Sequence, residues 1–358
     1  RETDRRWESI AVIQMPSSID GIVLLAKQSG ITSFSSLWQI KNALGTKKIG
    51  HTGTLDTFAE GLLVALAGRY TRLVPFFSNG DKEYLAEIRF GVETDTLDPD
   101  GASVREAPLP SLRAVEACLS SFRGTILQKP PAFSALHVNG QRASDLMRKG
   151  IAVDIEPRAI TVYALDVISA HDHSGGDAAP DSPVSTMVIK VVCSKGTYIR
   201  SIARDIAEAA GSCAHLSSLR RTRIGPFSLE RAAGSNLLAP FPSSIRGVYG
   251  KGDKPPQAPS EEILASVIPL SPEIARFAGL GTVYLDSGRV SAFAHGQKPD
   301  HSWFSAAGGD ESLSPRAAPD NSISPDDKKA VFCGTEFMGV VTFSSSTVRY
   351  EFVAEGAS

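Results

Sequence analysis

Between Gly61 and Gly68 the chain reads Gly61-Leu62-Leu63-Val64-Ala65-Leu66-Ala67-Gly68, with no polar residue in between. Successive side chains of a strand point to opposite faces, so a strand that is apolar at every position must be covered on both. The run therefore predicts a central strand, and the fold must supply a layer on each side of it. It is far too short to cross a bilayer, which needs about 18 apolar residues or more, and no other stretch of the chain reaches that length.

The neighbouring segments supply candidates for those layers. Gly21-Ile22-Val23-Leu24-Leu25 reads as a short buried strand, and a capped helix follows from Ser33 to Leu44, closed by Gly45. Its apolar spacing predicts that Phe34, Leu37, Trp38 and Leu44 face the core. From Lys82 to Phe90, residues Tyr84, Ala86, Ile88 and Phe90 alternate with Glu83, Glu87 and Arg89, the pattern of a half-exposed strand. Arg142 to Lys149 reads as a short basic helix, and Ile160–Ser169 and Thr186–Ser194 as two strands flanking a loop at 170–183. After Thr197 a helix buries Ile199, Ile202, Ala203, Ile206 and Ala210 at a period of 3.6.

The segment from Ser235 to Pro259 is rich in Pro, Gly and Ser, which predicts a linker. Beyond it, Thr282–Leu285, Lys329–Cys333, Glu336–Phe343 and Val348–Val353 read as strands of a small β-rich unit, interrupted by a low-hydrophobicity stretch at 300–328. The expected organisation is an N-terminal domain at 17–235, a linker at 236–265 and a C-terminal domain at 266–358.

The 358 residues carry a formal charge of -2, which argues against a chain-wide nucleic-acid-binding surface. Charge is nevertheless segregated. Cys193 to Arg223 holds six basic residues against two acidic, and Asp300 to Lys328 the reverse. The four cysteines are widely separated, with no C-x-x-C pair, which suits a reducing cytoplasm and offers no zinc clamp. Arg1 to Arg6 lead into no apolar signal core.

Several cofactor signals fail on inspection. Asp95 to Gly101 resembles a calcium loop, but aligning Gly101 with the turn glycine puts Ala107 where the bidentate carboxylate belongs. His171-Asp172-His173 has no third spaced ligand. Gly279-Leu280-Gly281 has Tyr284 where a dinucleotide fingerprint needs glycine. No metal and no cofactor are expected.

The chemistry then falls on two segments. Gly50-His51-Thr52-Gly53-Thr54-Leu55-Asp56 is a glycine-bracketed loop that presents a carboxylate just ahead of the buried run. Ser194-Lys195-Gly196-Thr197-Tyr198-Ile199-Arg200 passes from a strand into a helix N-terminus, where backbone N–H groups and a forked guanidinium favour an anion. Lys82-Glu83-Tyr84 adds an aromatic on the apolar face of a strand, and Leu219-Arg220-Arg221-Thr222-Arg223 an apolar residue beside three arginines, a pattern for phosphate contact.

Together, in this order and spacing, these segments resemble the TruB family of tRNA pseudouridine-55 synthases. The likeness extends to Asp20–Leu25, to Gly91, Thr94-Asp95-Thr96, Asp98 and Gly101, and to Lys129–Leu136, covering about Asp20 to Phe227; the C-terminal part is similar to the PUA-like domain of bacterial members. The resemblance implies the α+β pseudouridine synthase fold, a mixed and mostly antiparallel central sheet flanked by helices, and an isomerase that needs no cofactor. Such an enzyme detaches one uridine in the T-arm loop of tRNA from its ribose, turns the base and rejoins it through carbon 5. Asp56 would be the nucleophile, Tyr84 would stack on the base, Tyr198 would handle the proton at carbon 5, and Arg200 would pair with Asp56. His51 would fill the space left by the extruded base, with Lys27 and Leu219 lining the pocket. Lys195, Arg220, Arg221 and the basic helix from Arg142 to Lys149 would contact RNA. The expected partner is tRNA, with no membrane and no obligate protein partner, and the expected state a cytoplasmic monomer.

The physical chemistry agrees with these roles. A stacked base must be extruded before its glycosidic bond can be reached, and an aromatic face holds it. Bond cleavage develops positive charge on the sugar, which a carboxylate stabilises or traps. Thr57 stands where the family commonly has proline, and Ala26 and Gln28 flank Lys27 where aspartate and proline are common. A catalytically silent RNA-binding module and a carboxylate-nucleophile hydrolase are the competing readings.

Overall fold

The computed structural model describes residues 19–78, 80–138, 140–242, 255–306, 327–344 and 346–354. The main body is a ten-stranded sheet. Its strands are β1 (Gly21–Lys27), β2 (Ile49–Thr52), β3 (Glu60–Ala67), β4 (Lys82–Phe90), β5 (Gly124–Gln128), β6 (Arg158–His171), β7 (Thr186–Cys193), β8 (Ala214–Ile224), β9 (Phe227–Ser228) and β10 (Val267–Ile268). They run in the order β10-β1-β3-β8-β4-β7-β6-β5, with β2 on β3 and β9 on β8. The β3·β8 pair is parallel and the others are antiparallel, so the sheet is mixed and mostly antiparallel, as expected.

The apolar run is β3, and every one of its residues is buried. Leu62, Val64 and Leu66 pack against residues of the C-terminal unit, including Leu270, Phe332 and Val340. Leu63, Ala65 and Ala67 pack on the other face with Leu37, Ile40 and Leu44 of helix α1 (Ser33–Leu44). The contact between β3 and β8 requires a glycine at 61. Its φ is +106°, and a Cβ there would lie 2.3 Å from the Arg221 carbonyl oxygen. Helix α2 (Ala143–Arg148) is the short basic helix, and α3 (Ile199–Ala209) covers β4 and β8 through Ile199, Ile202, Ala203 and Ile206.

Three expectations are corrected. Helix α1 turns Leu37, Ile40 and Leu44 inward but leaves Phe34 70% and Trp38 56% exposed, because the sheet covers the stripe 33, 36, 37, 40 and 44 rather than the one beside it. Part of the segment read as a linker is packed: α4 (Ser260–Ala265) buries Ile263 against α1, and Glu262 accepts from the Gly234 N–H at 2.9 Å. Directly after it, β10 adds to the edge of the main sheet beside β1, so the chain returns to the first unit after residue 265. The remainder forms a five-stranded sheet over Gly281–Leu285, Phe304–Ala306, Asp327–Cys333, Glu336–Phe343 and Val348–Val353. The strand at 304–306 was not anticipated, and most of the acidic stretch lies outside the described residues. Edge-on ring contacts such as Tyr70–Phe337, with centroids 5.4 Å apart, join this sheet to the back of the main one. The front face carries α1 and α3.

Candidate active site

A cleft of about 970 Å³ opens on the front, between the N-terminal ends of α1 and α3. Asp56 sits in the loop from β2 to β3 on its wall, with its side chain 39% exposed. Backbone and side-chain bonds brace this loop from below. Ser33 Oγ accepts from the Leu55 N–H at 2.9 Å and contacts the Leu55 carbonyl at 3.1 Å. Ser29 Oγ donates to the Phe58 carbonyl at 2.7 Å, and the Gly30 N–H to the Thr57 carbonyl at 2.9 Å. Thr57 therefore needs no proline ring to hold its backbone.

Arg200, on the first turn of α3, is almost wholly buried and clamps the carboxylate. Its Nε lies 2.9 Å from Asp56 Oδ2 and its Nη2 donates to Oδ1 at 3.2 Å. The rest of the fork is held by the Thr96 carbonyl at 2.6 Å and the Phe133 carbonyl at 3.1 Å, with Asp98 Oδ2 3.5 Å away. A guanidinium anchored on this many sides fixes the carboxylate it faces. Tyr198 caps α3, and its main chain is fastened on both sides by Gln128, at 2.8 and 3.0 Å.

Tyr84 and Arg221 are direct cross-strand partners on β4 and β8, and both line the cleft beside Leu219. Arg221 is buried, donating to the Leu62 and Gly53 carbonyls, each at 2.9 Å. Burial pushes the Tyr84 phenol up and, more weakly opposed by Arg200, that of Tyr198 as well, so both stay protonated at neutral pH. Burial, aided by the charge of Arg221, pulls His51 below the ordinary histidine range, and its Nδ1 is buried with no partner among the described residues.

Of the residues expected at the site, Asp56, Tyr84, Tyr198, Arg200, His51, Arg142, Lys195, Leu219 and Arg221 line this cleft. Three do not. Lys27 is fully buried beneath it and donates to the carbonyls of Gln28, Thr57 and Ala59, so it cannot touch RNA. Burial draws its pKa down to about 7, with Asp56 pulling the other way. Arg220 points to the opposite face from Arg221 and is bound to Glu60 and the Ala239 carbonyl. With Arg223 directed toward Glu83 at 3.7 Å, the expected phosphate-binding cluster is largely consumed inside the fold. Lys149, exposed at the end of α2, lies outside the cleft.

Sequence reasoning missed Lys82 and the placement of Asp98. Lys82 stands two residues before Tyr84 on the same strand face, so its position was legible from alternation; its Nζ donates to the Ser78 carbonyl at 3.2 Å and to the Gly80 carbonyl. Burial, with Arg221 adding to it, lowers its pKa to about 8. The calcium-like turn is a hydrogen-bonded loop closed by Thr94 and Thr96, and it delivers Asp98 to Arg200. Burial raises the Asp98 carboxyl above the usual range despite the opposing Thr96 and Arg200. Counted over the lining, Lys82, Arg142, Arg148, Lys195, Arg200 and Arg221 face three carboxylates, so the cleft is electropositive in a chain that is not. No metal-binding group of carboxylate, thiol and imidazole side chains occurs among the described residues.

Residues 41–199 match the model of the TruB family pseudouridylate synthase N-terminal domain, and 200–239 that of the tRNA pseudouridylate synthase B C-terminal domain. The tRNA pseudouridine synthase B of Treponema denticola is 40% identical over 352 residues, covering 93% of this chain and 97% of that protein. The chain belongs to the TruB family. A second TruB-family relative, the tRNA pseudouridine synthase B of Borreliella afzelii, is 46% identical over 212 residues, 59% of this chain and 72% of its own length. The fold is also that of a chain in an H/ACA RNP bound to a substrate RNA containing 2'-deoxyuridine, with a TM-score of 0.56 at 21% identity over 93% of this chain and 84% of that one. An archaeal box H/ACA sRNP Nop10-Cbf5 complex gives 0.57 at 22%, with 93% and 85% covered. As a TruB-family pseudouridine synthase the protein is an isomerase.

Proposed function

We propose that this TruB-family synthase isomerises uridine 55 in the T-arm loop of tRNA, with Asp56 as the nucleophile. The observation that carries the reading is the half-exposed Asp56 carboxylate, held by a buried Arg200 fork on the wall of an electropositive cleft. The extruded base lies against Tyr84 and Leu219, and the cleft cations draw in the flanking phosphates. Asp56 supplies negative charge, or a covalent partner, as the bond between ribose carbon 1′ and base N1 breaks. The base turns, carbon 5 bonds to carbon 1′, N1 takes up a proton and carbon 5 loses one. Tyr198, a protonated phenol facing the same space, relays the carbon 5 proton through its hydroxyl. His51, neutral and on the cleft wall, fills the space left by the extruded base.

The test is tritium release from carbon-5-labelled uridine in a T-arm stem-loop without added metal. Wild-type protein releases it, and Asp56→Asn binds the RNA but does not; turnover by that variant refutes the nucleophile. One observation favours a second reading. Asp98, which shares the Arg200 guanidinium with Asp56 and whose carboxyl burial raises above the usual range, is the second acid that a glycoside hydrolase needs. Free uracil instead of pseudouridine among the products would establish it.

A further inference from the structure

Helix α1 carries two large aromatic side chains that the fold does not use. Phe34 and Trp38 are one turn apart and are 70% and 56% exposed, on the stripe beside the buried Leu37, Ile40 and Leu44. Such residues normally mark a contact surface when they are adjacent. Phe34 also lines the cleft that holds Asp56. The connection between them is short and rigid, since Ser33 is bonded to Leu55 and each is one residue away from the side chain in question. Along the same stripe, Lys41 places its Nζ 5.2 Å from the Phe34 ring centroid, and Lys47 and Lys48 are exposed just beyond the helix end.

Resting on the proposed reading of the cleft, we infer that Phe34 and Trp38 form a stacking platform for a nucleobase of the same RNA, flanking the extruded uridine. Removing one base from a loop leaves its neighbours with an uncovered face, and an aromatic surface at the rim recovers the lost stacking. Lysines beside aromatic rings suit an RNA strand, with bases on the rings and phosphates on the ammonium groups, and not an apolar peptide. The platform is continuous with the cleft, which ties the occupant to the substrate itself.

The experiment combines turnover with the emission of Trp38. Of the other two tryptophans, Trp303 is buried in the C-terminal sheet and Trp7 lies outside the described residues, so Trp38→Phe identifies the Trp38 signal by difference. Titrating wild-type protein with a T-arm stem-loop should quench this component. Phe34→Ala and Trp38→Ala, checked by thermal melting for an unchanged fold, should each raise KM and Kd about tenfold while kcat at saturating RNA stays within about twofold. A stem-loop with an abasic residue next to the target should bind wild type and the double variant equally. Wild-type KM in the double variant, or RNA binding that leaves Trp38 unquenched, overturns the platform and leaves Asp56 untouched. Quenching by RNA with no tritium release from wild type upholds the platform and overturns the proposed isomerisation of the T-arm uridine.

Discussion

Arg200→Lys separates the geometry of the clamp from its charge. The guanidinium donates one hydrogen bond to Asp56, from Nη2 at 3.2 Å, holds its Nε 2.9 Å from the other carboxylate oxygen as an ion pair, and is anchored by the Thr96 and Phe133 carbonyls. Lysine keeps one positive charge near Asp56 and Asp98 but has no fork, so it can hold either the carboxylate or the carbonyls and not all of them. Replacement by methionine would be less informative, because it removes the charge and the hydrogen bonds together and strips Asp98, a largely buried carboxylate, of its only ion pair recorded among the described residues. Losing one charge-assisted hydrogen bond to the nucleophile costs about 1.5–3 kcal/mol. If that bond is fully expressed in the transition state, kcat falls between about 10-fold and about 150-fold. KM changes little, since Arg200 lies behind Asp56 and not against the base. The assay is tritium release at saturating T-arm stem-loop, with a melting curve as the control for folding. A kcat within twofold of wild type, or a loss that appears wholly in KM, would refute the claim that the fork positions the nucleophile.

Ser33→Ala removes the clasp under the nucleophile loop and should cost about 1–2 kcal/mol of stability, with a fall in kcat, read by denaturant titration and turnover. Gly61→Ala brings a methyl group against the Arg221 backbone at a positive φ, and should destabilise the protein by at least about 2 kcal/mol in the same titration; a neutral outcome would remove the β3·β8 contact from its role. Lys82 titrates at about 8 in the folded chain against 10.5 when unfolded. The unfolded state therefore binds more protons between those values, and this group makes stability rise with pH across pH 8 to 10.5. Lys82→Met should flatten that rise in denaturant midpoints measured across the window, and an unchanged slope would contradict the assigned burial.

Much of the fold is written locally. The two-sided apolar run of β3, the alternation of β4 and the 3.6-residue period of α3 each depend on near neighbours, so they were legible without knowing what packs against them. The Asp56 loop and the Tyr198–Arg200 turn were legible for the same reason, as short segments whose residues act within a few positions of one another. The stretch around 255–268 was not, because Ile263 and β10 find their partners on α1 and β1, more than 200 positions away.

Sequence alone determined which residues could do chemistry here: one carboxylate on a glycine-bracketed loop, two phenols and a guanidinium in fixed order. Tertiary structure decided which of the neighbours join them. Arg220 and Arg221 must face opposite ways because a strand alternates, but only the β3·β8 register sends Arg221 to the cleft and Arg220 to Glu60. The rotational setting of α1 likewise buries Ile40 and exposes Trp38, and the depth of the β1 end, not its sequence, turns Lys27 from a contact into a brace. Periodicity fixes which side chains share a face, and packing across the chain fixes what that face meets.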